Sequence, residues 1–164
     1  MDKSSRHSKI IGNFGEHIIA NWLSRSGLEV AIIDHTGIDI VAYNPKTEKR
    51  YGITVKSRAR NKGKEKTNVT LFSKKNGDIQ KIKNACEAFT CEPWIGIYVE
   101  NDVEYNAGAD LYLIDLKHYL KHYHINKRNI TYSWQMTSKN IKKYASDNKI
   151  HHLRVIFDKS NWNL

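Results

Sequence analysis

Asp39, Thr54 and Lys56 are the residues of this 164-residue chain whose types and spacing best suit chemistry. They lie in GIDIVAYNPKTEKRYGITVKSR, residues 37–58, where two runs rich in β-branched residues, 38–43 and 51–57, flank the polar turn NPKTEK. Such runs around a proline-containing turn predict an antiparallel hairpin. Setting Tyr43 opposite Arg50 or Tyr51 puts Asp39 opposite Thr54 or Val55. Side chains alternate along a strand, so Thr54 and Lys56 share a face about 6.6 Å apart, and in the Asp39/Thr54 register Asp39 shares it too. A carboxylate, a hydroxyl and an amine so placed could form only a solvated cross-strand ion pair, which contributes little. They could also hold a hard cation such as Mg²⁺, which takes a few carboxylate and carbonyl oxygens and keeps several waters, with the lysine orienting or deprotonating one of them.

The flanking segments must position these groups. Ile11, Phe14, Ile18 and Trp22, with Ile19 and Leu23 beside them, recur at spacings of three and four and predict a helix over about 8–26, stopped by Gly27. Glu16 falls at the edge of that apolar stripe, where it can face water or turn towards a neighbouring sheet. A short strand, residues 28–34, leads through His35-Thr36-Gly37 to the Asp39 strand; Asp34 ends it beside a turn and ranks below Asp39 as a ligand. After Lys56 the chain becomes basic and polar. Arg58, Arg60, Lys62, Lys64 and Lys66 leave the hairpin on the side from which a phosphodiester would approach, unless they are simply a solvated loop.

Further on, the pattern predicts a short strand at 69–72 and a helix over about 78–89, capped by Asp78, with Ile79, Ile82, Cys86 and Phe89 on one face. Strands at 94–100 and 109–116, a basic helix over 138–148 and an edge strand at 153–157 complete a mixed sheet with helices on its faces. His118 and His122 stand at helical spacing, but without HExxH or a third ligand they read as part of a basic surface. Tyr112, Tyr119, Tyr123 and Tyr132 read as core or boundary residues before base-stacking platforms. Cys86 and Cys91 fit no zinc or redox motif and are expected to be reduced, structural thiols.

The net charge is +10, and its distribution is uneven. Residues 46–75 carry eleven Lys/Arg against two acids and residues 117–154 nine against one, while 76–116 carry two against eight. Basic blocks separated by an acidic one suit a polyanion, because each neutralised phosphate releases counterions. No apolar run of about 18 residues and no signal-peptide pattern is present, which predicts a soluble, cytoplasmic chain with no membrane partner. Its length suits one domain. Phosphate-cradling, nucleophile-elbow and dinucleotide motifs are absent, which argues against a nucleotide-driven motor, a serine hydrolase and a dinucleotide enzyme.

GNFGEHIIANWL, then LEVAIIDHTGIDIVAY, then YGITVKSRAR, resembles the core of the PD-(D/E)XK nuclease superfamily, particularly its archaeal Holliday-junction-resolvase-like and restriction-endonuclease-like members. The resemblance implies an α/β fold with a restriction-endonuclease-like core, a mixed β-sheet flanked by helices. The domain would span 1–164, its core about 8–116 and a basic C-terminal extension about 117–164. It also implies that Asp39, Glu16 and the Val55 backbone carbonyl hold Mg²⁺ or Mn²⁺, with Lys56, Asp39 and Glu16 as the catalytic set. Two positions depart from the family pattern. Ile38 replaces the proline before the aspartate, and Thr54, a weaker neutral ligand, stands where an acid or glutamine is usual. The activity implied is a metal-dependent endonuclease hydrolysing DNA, structure-specific if resolvase-like, with a homodimer left open because paired cuts need two subunits. The rivals are a catalytically silent DNA-binding module on the same fold and a basic scaffold for an acidic protein.

Overall fold

The β-branched runs around the 44–49 turn pair as a hairpin in the computed structural model, which describes residues 7–59, 68–101, 108–124 and 131–157. Strands β1 (Glu29–His35), β2 (Ile38–Asn44) and β3 (Lys49–Ala59) form an antiparallel meander. Tyr43 pairs with Arg50 and Asn44 with Lys49, which selects one of the two registers open in the sequence. The Asn44 side chain shapes the turn, its Oδ1 accepting the Lys46 N–H at 2.9 Å, the local device that makes asparagine a turn residue.

Helix α1 (His7–Arg25) precedes the meander. After it come β4 (Asn68–Ser73), α2 (Asp78–Ala88), β5 (Glu92–Asn101), β6 (Gly108–Asp115), α3 (Leu116–His122), β7 (Thr131–Gln135), α4 (Ser138–Ala145) and β8 (Ile150–Ile156). The main sheet has the order β1-β2-β3-β5-β6-β8, and its one parallel pair is β3 with β5. Parallel neighbours cannot be joined by a tight turn, so the chain crosses over through β4 and α2 between them. The result is the mixed α/β architecture, a sheet flanked by helices, that the resemblance implies.

Each face of the sheet buries its own apolar cluster. Ile11, Ile19 and Ala20 of α1 pack on Ile53, Val55 and Tyr98. On the other face, Ile95, Ile97 and Tyr112 meet α2, α3, α4 and the β4–β7 ribbon. Helix α1 lies close to the sheet because of two glycines. A Cβ on Gly15 would stand 2.1 Å from Ser57 Oγ, and one on Gly96 would stand 2.8 Å from Ile19 Cδ1. Glu16 is thereby brought down beside β3.

Tyr112, Tyr119 and Tyr123 are core residues, as expected, packed around the fully buried Trp134. Strand β7, which carries Trp134, has no counterpart in the sequence reading. Its five residues alternate too briefly to stand out, and its partner β4 is far away in the chain. Asp78 is not the cap of α2: Gly77, at φ 65, holds that position. Asp78 Oδ2 instead accepts the Ser73 N–H at 2.8 Å and ties the end of β4 to the helix. The expected edge strand is present and begins earlier, at Ile150, pairing along β6.

Candidate active site

The β2–β3 ladder runs from Asn44/Lys49 to Ile40/Ile53 and ends there. One step further, Asp39 faces Thr54 with its carboxylate turned onto β3. Asp39 Oδ2 accepts the Val55 N–H at 2.5 Å and the Thr54 hydroxyl at 3.4 Å. A backbone N–H in a sheet interior needs an acceptor, and here the carboxylate takes the place of a ladder carbonyl. On the other side of β2 the register with β1 shifts between Ile32 and His35. At Asp39 the strand has thus left the β3 ladder and passes an irregularity in its pairing with β1, which resumes at Ile38/His35, and a cleft of about 220 Å³ opens there.

Asp39, Thr54 and Lys56 line this cleft together, as the sequence predicts for the Asp39/Thr54 register. Thr54 is buried, 3% exposed, so its hydroxyl serves the carboxylate and not water. Lys56 lies with its Nζ 5.9 Å from the centroid of the Phe72 ring on β4. The far wall belongs to α2 and to the β1–β2 turn, with Lys81 and Gly37 at the lining. Gly37 has φ +112, and a Cβ there would lie 2.6 Å from the Lys81 carbonyl oxygen, so the turn rests directly on the helix backbone. Lys81 also pairs with Asp78 at 3.6 Å. Lys81 and Phe72 carry no signal in the sequence that ties them to the hairpin; only the β3–β5 crossover brings them there.

Glu16 does not line this cleft. It comes from α1, which covers the Ile53 and Val55 face, whereas Asp39, Thr54 and Lys56 face α2 and β4. It remains in the same electrostatic neighbourhood. Its carboxyl is raised above the ordinary glutamate range, first by burial and then by the charges of Asp39 and Asp34, with His17 and Lys56 pulling the other way. Because the folded pKa lies above the unfolded one, folding favours the protonated form. Stability from this group is present below about pH 4.5, falls as pH rises through the folded pKa, and stays reduced at neutrality. Glu16→Gln is therefore expected to raise the Tm of the metal-free protein at pH 7 and to leave it nearly unchanged at pH 4. A variant that melts lower than wild type at pH 7 contradicts this.

Two carboxylates and the Val55 carbonyl make a sparse donor set. Among the described residues no group of three His, Cys, Asp or Glu side chains is placed to hold a metal. A hydrated hard cation does not need one, since Mg²⁺ is commonly held by one or two carboxylates plus waters and substrate phosphate oxygens. The Asp39 charge, which adds to burial in raising Glu16, is what a nearby divalent cation would offset. Within the cleft Asp39 is the one carboxylate of this pair, so such an ion would take the rest of its shell from waters and phosphate oxygens, with Glu16 acting from outside the lining.

Arg58 is exposed near the end of β3, two positions beyond Lys56 and hence on its face. Arg60, Lys62, Lys64 and Lys66 lie outside the described residues. His118 and His122 have ring centroids 4.6 Å apart, but His118 Nε2 bonds Asp147 Oδ2 at 2.7 Å, and the Tyr123 hydroxyl donates to the same oxygen at 2.5 Å. Burial would raise the Asp147 carboxyl, yet these hydrogen bonds outweigh it and hold the group below the usual carboxylate range. The histidine pair thus belongs to a clasp between α3 and the turn after α4. Burial, with Cys91 adding to it, pushes the Cys86 thiol up to about 11, as suits a structural thiol.

No protein-family model and no curated protein matches the chain. Among solved structures, Archaeoglobus fulgidus Hjc, a Holliday junction resolvase from an archaeal hyperthermophile, superposes with a TM-score of 0.48 and 12% identity, over 73% of this chain and 86% of that one. That likeness is too weak to assign a function. No helix among the described residues is long and apolar enough to cross a membrane.

Proposed function

We propose that this protein is a metal-dependent endonuclease that hydrolyses DNA phosphodiester bonds at the fork between β2 and β3. The observation that supports this reading best is the placement of Asp39. Its carboxylate accepts the Val55 N–H and the Thr54 hydroxyl, in one cleft with Lys56, and its charge is felt by Glu16 on α1. Asp39 and the Val55 carbonyl would hold Mg²⁺ or Mn²⁺, with Glu16 reaching the ion through water from outside the cleft. When bound, the ion supplies Lewis-acid polarisation of the scissile phosphate and stabilises the leaving oxyanion. Lys56 orients the attacking water and offsets negative charge as it develops on phosphorus. The Lys56 ammonium itself lies over the Phe72 ring, 5.9 Å from its centroid, which favours keeping the charge in the cleft. Arg58 grips the backbone next to it, giving affinity that is largely independent of sequence and falls with salt.

Thr54 favours a second reading. It fills the position of a second acid with a hydroxyl committed to Asp39, which would suit a DNA-binding module without catalysis. Titrating Mg²⁺ and Mn²⁺ against end-labelled duplex, branched and single-stranded DNA separates the two. The expected result is cleavage that appears with metal and disappears with EDTA. Binding without cleavage under every condition assigns the silent module. No gel retardation at about 0.15 M salt would overturn both, since a binder with many phosphate contacts is weakened there but still detectable.

A further inference from the structure

A line of aromatic rings and ammonium groups leads out of the cleft across the β4–β7 ribbon. It starts at Lys56, whose Nζ is 5.9 Å from the Phe72 ring centroid. Phe72 pairs in register with Tyr132 of β7, their centroids 6.3 Å apart and near edge-to-face. Tyr132 in turn meets the His124 ring at 4.2 Å, and the Lys74 ammonium lies 5.6 Å from the Tyr132 centroid. Exposure rises outward along the line. Phe72 is buried, Tyr132 and His124 are half-buried, and Lys74 is exposed. Burial, with Lys74 adding to it, lowers the His124 pKa, so the ring is neutral at pH 7 and offers a face and not a charge.

Core packing explains Phe72 and the inner side of Tyr132, which packs against the same cluster, but it does not explain why the outer end of this ribbon carries the His124 ring, tilted against Tyr132, and the Lys74 ammonium. Alternating π-faces and cations are what single-stranded nucleic acid asks of a protein: a ring under each base and a positive group beside the backbone. The two centroid distances limit the span from the Lys56 ammonium to the Tyr132 ring to about 12 Å, or roughly four stacked nucleotides at 3.4 Å each. We infer that Tyr132 and His124, with Lys74, form a stacking platform for an unpaired DNA strand that continues from the phosphate held at Lys56. This rests on the nuclease reading for its starting point and adds a substrate class to it: DNA with a single-stranded arm next to the cut.

Binding and cross-linking in EDTA test the platform without any need for cleavage. The full-length protein is mixed with a fluorescein-labelled duplex bearing a short single-stranded arm and with a blunt duplex of the same length, and anisotropy is followed. Tighter binding of the arm-bearing DNA is expected. The preference should fall about tenfold in Tyr132→Ala and survive in Tyr132→Phe, which keeps the ring. Since Tyr132→Ala also removes packing from the ribbon, the wild-type protein is irradiated as well, with 5-iododeoxyuridine placed two to four nucleotides from the junction of the arm. Cross-links are expected in the peptide containing Tyr132 or His124. Equal affinity for both DNAs, or cross-links confined to other peptides, overturns the platform. Cross-links at Tyr132 in a protein that cuts nothing with Mg²⁺ or Mn²⁺ would uphold the platform and remove only the nuclease reading.

Discussion

Asp39→Asn is expected to lower the proposed metal-dependent cleavage by about a hundred- to a thousandfold, with the fold and the proposed DNA binding retained, a loss in the range seen when one pre-organised electrostatic group is removed from a site. The asparagine carbonyl can still accept the Val55 N–H, so the bond that closes the fork survives. What disappears is the negative charge proposed to hold the cation. Lys56→Met is the matching change on β3. It keeps an unbranched apolar stem beside Phe72 and deletes the ammonium, so kcat falls with little change in KM. Single-turnover cleavage of a labelled substrate, with anisotropy for binding and circular dichroism for fold, measures all three quantities. Full activity in either variant removes the assignment of these residues.

Gly37→Ala is expected to cost about 2–5 kcal/mol, combining backbone strain with a steric clash. The position has φ +112, a conformation L side chains rarely adopt, and the new Cβ would sit 2.6 Å from the carbonyl oxygen of Lys81. That neighbour is helix backbone and cannot rotate away, so the β1–β2 turn or α2 must shift. The Tm should drop by roughly 10 °C for a chain of this size. Cleavage should also fall at temperatures where the variant is still folded, because the displaced pair forms the wall opposite Asp39. Gly12→Ala is the control. Nothing lies within 4 Å of its Cβ and it sits inside α1, so it should be neutral or stabilise by about 0.5–1 kcal/mol. A Gly37→Ala protein that melts with wild type would show that the turn does not bear on the helix as described.

The hairpin could be read from sequence because every device that fixes it is local. β-branched runs, an Asx turn at Asn44 and period-two alternation leave only two registers, and only one puts Asp39, Thr54 and Lys56 on a shared face. Helix α1 could be read for the same reason, including Glu16 at the margin of its stripe. Which side of the sheet that margin approaches depends on Gly15 and Gly96 admitting the helix, and no periodicity reports that. Thr54 was legible as a departure from an expected acid, but its role as a buried donor to Asp39 needed the packing around it. Strand β7 and the wall of the cleft were least visible, since both exist only through pairings distant in the chain. Asp78 shows the limit of local rules: a good capping residue sits one position inside the helix because Gly77 makes the turn.

The parallel pairing of β3 with β5 also bears on the order of folding. Asp39 and Val55 are joined by a hairpin closure of 16 residues, whereas Tyr51 must find Glu92 across the whole β4–α2 crossover. Loop closure costs entropy before distant contacts repay it, so near contacts zip first. A refolding chain therefore acquires its acid clasp during hairpin zippering and gains Lys81 and Phe72 only when the crossover docks. Until that docking, the acid and the amine of the hairpin lack the opposite wall of the cleft.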